Sequence, residues 1–392
     1  MNYFGWIDFS RKDRELARDI IAALNDRGAV DEMGIGVIRD AFSDYFFPGT
    51  STIQTSAKYF FLVSYQLENL TRFPVPNPER VLRENERECS FAMWKSLSPE
   101  KRKKEGIFGR TFFERGAKDW VKRTPSVIYW RGIRELGFWK CDNELSLQEF
   151  LRVSSSREAI PVESDEDLKN GKKRAPDYEK SWHWNLPPPE ARGNWQNSPD
   201  IKLTPGEARF FLEQITHEQP DSMFAFLAPF RRELPARFAD IGELELPAHL
   251  REAWLLAEKF SEFMWPAQLR FNALLGNEEA AERWDDYEAE WLAEAAEEVD
   301  LNAIFSFLKL EAHRQLLCFL RDLKKVYKSG KIKDLDELLY MRERQLKGES
   351  RMKLGKENPH YQEHWVGSQE LQYRYGNACR LFRDVVKAEE GV

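Results

Sequence analysis

The sequence predicts a mostly α-helical fold, with a helical N-terminal domain followed by an all-α C-terminal domain. Two local signals carry this prediction: hydroxyl residues placed before proline at helix starts, and apolar residues that recur at helical spacing. Hydrophobic residues make up 42% and charged residues 32% of the 392-residue chain. That composition is sufficient for a packed core surrounded by solvated helices, and it excludes global disorder.

The N-terminal domain is predicted to span residues 1–152. Its first helix begins at Ser10, and the hydroxyls of residues 50–52 are predicted to cap a later helix. Thr124-Pro125 begins another helix, and residues 137–140 are predicted to form a short strand. Several short helices with one small β element are compatible with a winged-helix-like unit.

Residues 153–203 have neither a helical nor a strand period and are predicted to form an irregular arm or linker. Three tryptophans at 182, 184 and 195 favour an ordered arm that docks on the protein. Residues 204–392 are predicted to be all-α, starting at the capping sequence Thr204 to Glu207. The predicted later helices are Leu246 to Leu275, Glu278 to Glu298, Leu301 to Lys328, Leu335 to Lys347 and Ser368 to Lys387.

Charge is distributed unevenly along a chain whose formal net charge is −7. Residues 95–134 contain twelve Lys/Arg and four Asp/Glu, and residues 321–356 contain twelve and six. Residues 276–300 reverse the balance, with eleven acids and one arginine. Basic segments in an acidic protein either contact nucleic acid or pair with acidic and solvated surfaces.

One basic cluster alternates with aromatic residues at Phe108, Phe112, Phe113 and Trp120. Such a mixture can follow a phosphate backbone and stack on bases. The alternative is that the aromatic residues belong to the core and the basic residues are solvated. The candidate nucleic-acid-binding residues are Lys101, Arg102, Lys103, Lys104, Arg110, Arg115, Lys118, Lys122 and Arg123.

No complete catalytic, cofactor or metal motif is present, so no catalytic residue, cofactor or metal ligand is predicted. The nearest match is the inverted zinc motif formed by His360, Glu363 and His364, in a Gly/Lys/Asn-rich context. Pro176-Asp177 superficially resembles a restriction-nuclease motif, but no β-rich run surrounds it. The four cysteines are far apart and fit a reducing compartment.

No apolar stretch approaches the ~18 residues that a membrane span requires. The N-terminus has no basic region followed by an apolar segment, so no signal peptide is expected. A cytoplasmic location without membrane contact is therefore predicted.

The most specific text is FGWIDFS, starting at Phe4, together with DEMGIGVIRDAFSDYFFPGTSTIQTSAKYF, starting at Asp31. It resembles an uncharacterised bacterial family, a domain of unknown function, whose members read FGWxDxS and DELGIGxIRDAF…FPGTSTIQT. The resemblance implies a setting in bacterial defence islands, near genes for helicase-like and phospholipase-D-like nuclease proteins. In one departure, Ser56 and Ala57 precede Lys58, where relatives often have Arg after Gln-Thr.

The polar residues of this motif allow two interpretations. A structural interpretation places the acidic and basic residues in a buried ion-pair network, and it is favoured. The alternative places the hydroxyl and amide groups at a helix N-terminus, where they receive a phosphate. The motif residues are Asp8, Arg39, Asp40, Asp44, Thr50, Ser51, Thr52, Gln54 and Lys58.

Three functional hypotheses follow. The first is a non-enzymatic subunit of an anti-phage defence system that scaffolds a helicase or nuclease partner and contacts DNA. In it, the basic half faces nucleic acid, while the acidic helix and the tryptophan-bearing arm face proteins. The second is a divergent metal-dependent nuclease or hydrolase, and the third is a phage sensor that binds protein only.

Overall fold

Helices dominate the computed structural model of the chain, which confirms the predicted fold class. The structure describes residues 31–73, 75–117, 119–142, 145–155, 182–287, 289–356, 358–367 and 369–391. Contacts along the chain group it into two compact units. The first unit is Met1–Phe42 with Arg251–Leu371, and the second unit is Ser43–Leu250 with Gln372–Val392. The consecutive domains divided after residues 152 and 203 stay a prediction.

The described residues contain seventeen α-helices and one two-stranded sheet. The helices are α1 (Gly36–Phe46), α2 (Lys58–Arg72), α3 (Pro78–Ser96), α4 (Pro99–Lys104), α5 (Arg110–Glu114), α6 (Pro125–Glu135), α7 (Leu147–Ser155), α8 (Pro205–Glu218), α9 (Met223–Leu227), α10 (Ala248–Leu274), α11 (Glu278–Asp285), α12 (Ala289–Glu298), α13 (Leu301–Phe307), α14 (Arg314–Ser329), α15 (Ile332–Lys347), α16 (Pro359–Glu363) and α17 (Tyr375–Glu390). The strands are β1 (Trp139–Cys141) and β2 (Trp182–Trp184).

Helix α2 lies at the centre of the second unit, and all but three of its fifteen residues are buried. Its Phe60 ring lies 5.8 Å from the ring of Phe138 and 5.3 Å from that of Phe211. Phe61 contacts the same two rings at 5.1 and 6.3 Å. Aromatic rings bury large apolar areas, so this cluster supplies much of the unit's hydrophobic stabilisation.

The small sheet joins β1 and β2 in antiparallel register, with Trp139 opposite Trp184 and Cys141 opposite Trp182. This confirms the short strand predicted for residues 137–140, displaced by one to two residues. The ring of Trp195, the third tryptophan of the arm, lies 5.3 Å from that of Tyr65 on α2.

Local capping signals locate helix starts in the second unit. Thr204 N donates to Glu207 Oε2 at 2.8 Å, and Glu207 N donates to Thr204 Oγ1 at 3.1 Å, which completes the predicted capping box of α8. Ser146 and Glu149 form the same reciprocal pair before α7. Thr124 is the N-cap residue of α6, which begins at Pro125 as predicted.

Two helices predicted for the first unit are each divided in the structure. The predicted helix Glu278 to Glu298 is wrong as one element: α11 ends at Asp285 in a turn where Tyr287 N donates to Trp284 O. The predicted helix Leu301 to Lys328 is likewise two helices, α13 and α14. Lys309 takes a φ of +57°, which a continuous α-helix does not allow.

The acidic helix α12 packs against the basic helix α14 of the same unit. Glu298 pairs with Lys259 of α10 at 2.6 Å, and Glu297 pairs with Lys328 at 3.8 Å. Part of the acidic charge is therefore balanced within the first unit. None of the helices in the described ranges combines the length and the hydropathy of a membrane span.

Candidate functional site

The second half of the motif forms a loop, residues 48–57, between α1 and α2 (the motif loop). Near its start, Gly49 has a φ of +74°, and a Cβ added there would lie 3.1 Å from Leu136 Cγ. Gly132 of α6 approaches so closely that its own added Cβ would lie 2.3 Å from Gly49 O. Gln54 closes the turn, because its Nε2 donates to Gly49 O at 3.0 Å and its Oε1 accepts from Ser51 N at 3.0 Å.

Tyr129 of α6 holds the end of the motif loop from inside the core. Its fully buried hydroxyl accepts hydrogen bonds from Thr55 N at 2.8 Å and Ser56 N at 3.1 Å. The same hydroxyl donates to Ser56 O at 2.9 Å. Burial raises the pKa of Tyr129 above its usual range, so it acts as a neutral hydroxyl.

Helix α17 holds the loop from the opposite end of the sequence. Asn377 Nδ2 donates to Ser51 O at 3.0 Å, and Arg380 Nη1 donates to Gln54 O at 2.9 Å. Asp384 accepts from Ser56 Oγ at 2.7 Å and from Ala57 N at 2.9 Å, and thereby caps α2. Burial raises the pKa of the Asp384 carboxyl.

A buried ion pair begins α2. Lys58 Nζ lies 2.6 Å from Glu207 Oε2, and the two side chains are 3% and 0% exposed. Glu207 Oε1 also accepts from the Tyr65 hydroxyl at 3.0 Å. Burial raises the pKa of Glu207, against the opposing effect of the Lys58 ammonium group. Lys58 therefore has an internal partner.

Among the described residues, the other charged side chains of the motif form ion pairs at two separate places. Asp44 pairs with Arg131 at 2.9 Å and with Arg374. Arg39 pairs with Asp40 at 3.1 Å in the first unit, with both side chains more than a third exposed. Asp8 lies outside the described residues, as does the helix predicted from Ser10.

The hydroxyls of Thr50, Ser51 and Thr52 do not lie at a helix N-terminus, contrary to the predicted cap. Helix α2 begins six residues after Thr52, at Lys58. Thr50 Oγ1 instead donates to Phe47 O at 2.6 Å within the loop. Phosphate binding at these residues would therefore lack the helix N-terminus that it was expected to use. The hydrogen bonds that these residues form within the protein favour the structural interpretation.

The first half of the motif stabilises the first unit. Asp31 accepts from the backbone amides of Ile35 at 3.0 Å and Gly36 at 2.6 Å, and so caps α1. The buried Glu32 carboxylate contacts Lys347 at 2.8 Å and Lys353 at 2.9 Å. Burial alone would raise the pKa of Glu32, but these two ammonium groups lower it overall.

The nucleic-acid candidates lie on α4 and the segment that follows it, residues 101–123 (the basic segment). Six of them are exposed: Lys101, Lys103, Lys104, Arg115, Lys122 and Arg123. Arg102 instead donates to Trp94 O at 2.8 Å and covers the Trp94 ring at 4.1 Å. Arg110 donates to Lys103 O at 2.6 Å. Lys118 lies outside the described residues.

Three of the four aromatic residues of the basic segment pack against the rest of the second unit, and the fourth, Phe112, is half-buried. Phe113 and Trp120 are buried, and the Phe108 ring meets Tyr59 edge-on at 4.8 Å. Gly109 lies so close to Trp120 that a Cβ added to the glycine would be 2.1 Å from Trp120 Nε1. These three rings pack in the protein, so the exposed side chains of the segment are mainly cations, which suit phosphates.

The weaker catalytic candidates are the His360–His364 motif and the Pro176-Asp177 pair. His360 and His364 lie at α16 with their rings stacked 4.4 Å apart, and both are exposed, as is Glu363. Pro176 and Asp177 lie outside the described residues. Within the described ranges, no three His, Cys, Asp or Glu side chains are arranged to hold a metal ion.

Sequence reasoning missed four partners that reach the motif loop from distant segments, Tyr129, Asn377, Arg380 and Asp384, and it missed Glu207 as the partner of Lys58. It also missed Glu86, which is 2% exposed on α3 and accepts from Ser126 N at 2.5 Å. Burial raises the pKa of Glu86 to about 7. The available signal was that Glu86 shares a helical face with the apolar Leu82 and Met93.

These features define a mostly α-helical protein with an internally bonded motif loop and an exposed basic segment. The chain belongs to a family of unknown function, DUF6361, whose model matches residues 1–296. This match is consistent with the expected membership of an uncharacterised domain-of-unknown-function family. No curated protein and no solved structure matches the chain.

Proposed function

We propose that this protein is a non-enzymatic subunit of a bacterial anti-phage defence system that contacts DNA phosphates and scaffolds a helicase or nuclease partner. The observation that supports DNA contact is that the basic segment has both buried aromatic residues and exposed lysines. Phe113 and Trp120 enter the core, whereas the lysines at 101, 103 and 104 remain exposed on one short helix.

Phosphate contact by such lysines is independent of sequence and sensitive to salt. Each neutralised phosphate releases condensed counterions, so the logarithm of the affinity falls linearly with that of the salt concentration. Four to six contacts from the exposed basic side chains correspond to a slope of about −4 to −5 on double-stranded DNA. The chain's overall negative charge makes this contact local, because acidic parts of the surface are repelled by DNA.

The motif loop supports a binding role over a catalytic one. Its peptide groups and side chains are bonded to Tyr129, Asn377, Arg380 and Asp384, so they hold the fold of the second unit together. The resemblance to defence-island proteins supports the setting and the helicase or nuclease partner. The exposed part of the acidic surface around Trp291, which is 46% exposed, is the surface we assign to that partner.

DNA binding is tested with the purified protein and labelled double- and single-stranded DNA at about 50 and 200 mM salt. The proposal expects binding at the lower salt and, over this range, a loss of affinity of about 10²- to 10³-fold. Absence of binding at 50 mM would overturn the DNA contact. Scaffolding is tested by co-purification with the products of neighbouring genes, and Trp291→Ala should weaken it without changing the salt slope.

A further inference from the structure

Phe91 and Trp94 of α3 form an aromatic surface beside the basic segment. The Phe91 ring stacks on the Trp94 ring, with the centroids 5.7 Å apart and the planes inclined by 24°. The buried Phe113 contacts both rings, at centroid distances of 5.3 and 5.8 Å. Phe91 is nevertheless 43% exposed. Single exposed apolar side chains are common on protein surfaces, so the meaning of this ring depends on its neighbours.

The neighbours of this aromatic surface are cationic. The Arg102 guanidinium of α4 lies 4.1 Å from the centroid of the Trp94 ring, and Arg102 Nε donates to Trp94 O at 2.8 Å. A further hydrogen bond, from Arg102 Nη2 to Lys95 O at 3.2 Å, holds α4 against the end of α3. The exposed side chains of Lys95, Lys101 and Lys103 are therefore held close to the aromatic surface.

The charge of this region is complementary to phosphate. Residues 91–104 contain five Lys/Arg and one Asp/Glu. Two acidic side chains lie nearby: Glu88, one turn before Phe91 on α3, and Glu114, which pairs with Arg110 at 3.7 Å. The region therefore combines a net positive charge with an exposed aromatic ring.

Exposed cations beside an exposed ring are typical of proteins that bind single-stranded nucleic acid. The cations follow the phosphate backbone, while the aromatic side chains stack on bases. The bases of a single strand are free to turn out and stack on such a ring, whereas those of a duplex are paired and stacked on one another. A ring on the protein surface therefore gains contact with a base face only when the strand is single.

A protein partner is the alternative occupant of this surface. The buried centre of a protein–protein interface is usually depleted of charged residues. Phe91 is the only exposed large apolar residue of α3 and α4, both of which the structure describes in full. An apolar area of one ring with lysines beside it fits a nucleic acid better than the centre of a protein interface.

We propose that α3 and α4 bind single-stranded DNA, with Phe91 stacked on a base and the exposed lysines of both helices in contact with neighbouring phosphates. Trp94 supports this arrangement, because it contacts both the Phe91 ring and the Arg102 guanidinium. Every base presents an aromatic face, so the surface selects for a single strand and not for a sequence. The inference rests on the proposed DNA contact through α4 and adds the form of DNA that is bound.

The test measures binding of wild type and Phe91→Ala to a single strand and to a duplex of the same length and mixed sequence, by fluorescence anisotropy at about 50 mM salt. We expect the wild type to bind the single strand more tightly than the duplex. Loss of one base stack should weaken single-strand binding by about fivefold or more, whereas duplex binding should stay within about twofold of the wild type.

The outcomes distinguish this inference from the proposed function. Absence of binding to either form would overturn DNA contact itself. Tighter binding of the duplex, or a loss in Phe91→Ala that is nil or equal for both forms, would leave DNA contact intact and overturn single-strand recognition. Unchanged DNA affinity together with loss of a co-purified protein would assign the ring to a protein interface and refute the stacking role.

Two further variants control for packing and for exposure. Phe91→Leu retains an apolar side chain against Trp94 but has no ring, so it should lose single-strand affinity as Phe91→Ala does. Phe230→Ala is the matched control, because Phe230 is 41% exposed in the same unit and the adjacent Arg231 is paired with Glu389 at 2.7 Å. This control should bind both forms as the wild type does. Wild-type affinity for the single strand in Phe91→Leu would contradict stacking on a base.

Discussion

Lys58 and Glu207 lie 149 positions apart in sequence and form an ion pair inside the second unit. The pair joins the N-terminus of α2, directly after the motif loop, to the N-terminus of α8. Removing two charges from water is costly, and their attraction offsets this cost only while both partners are present. The motif lysine is therefore a determinant of stability.

Replacing Lys58 with Met should destabilise the protein by about 3–5 kcal/mol, because Glu207 would remain buried without its counter-charge. Chemical denaturation monitored by circular dichroism measures the change. Lys325→Met is the matched control, since its partner Asp322 is exposed and the pair should contribute less than ~1 kcal/mol. A loss below ~1 kcal/mol for Lys58→Met would show that the pair is not structural.

Gly132→Ala should destabilise the second unit by about 1–3 kcal/mol or more, since an added Cβ would collide with Gly49 O and with Phe60 Cε1 at 2.7 Å. The control is Gly376→Ala, at a helical glycine with nothing within 4 Å of an added Cβ. Alanine there should be neutral or stabilising by up to about 1 kcal/mol. Thermal unfolding midpoints measure the stability of the two variants. Equal midpoints would contradict the close approach of α6 to the motif loop.

Stability should fall as the pH rises towards neutrality because of Glu86. Burial raises its pKa to about 7, whereas the unfolded chain has a value near 4.5. The native state therefore retains a proton that the unfolded state loses between about pH 4.5 and 7. Stabilisation by this group is complete below that window and is lost as the pH passes through 7.

The neutral variant Glu86→Gln should remove this pH dependence and exceed the wild type in stability above pH 7, by up to about 3 kcal/mol. Thermal midpoints from pH 4.5 to 8 provide the measurement. Glu84→Gln, at an exposed glutamate of the same helix, should keep the wild-type profile. Parallel profiles for wild type and Glu86→Gln would mean that Glu86 is ionised when buried.

Some helix starts, such as that of α8, were predictable because the signals that set them are local. Thr204 and Glu207 are three residues apart, and their two reciprocal bonds form wherever that sequence enters a helix. The helix breaks near Tyr287 and Lys309 were missed, since neither contains the glycine or proline that marks most breaks.

The candidate site was predictable only in part. The basic and aromatic residues of the basic segment were identified, but their division between surface and core depends on contacts such as that of Phe108 with Tyr59. The support of the motif loop by Asp384 joins residues more than 320 positions apart. Hydrophobic period and capping signals contain no information about such pairings.

Contact between DNA and the exposed lysines of α4 can be tested directly by charge reversal. We would replace Lys101, Lys103 and Lys104 with Glu and leave Arg102, which is bonded to Trp94 O. The matched control carries Glu at three exposed lysines elsewhere, Lys202, Lys309 and Lys331, so the change in net charge is the same.

Fluorescence anisotropy with labelled DNA at about 50 mM salt is the deciding measurement. We expect the α4 variant to lose at least about tenfold in affinity and to have a shallower salt slope, by roughly one for each lost contact. The control variant should stay within about threefold of the wild type. Equal losses in the two variants, or wild-type affinity in the α4 variant, would contradict DNA contact through α4.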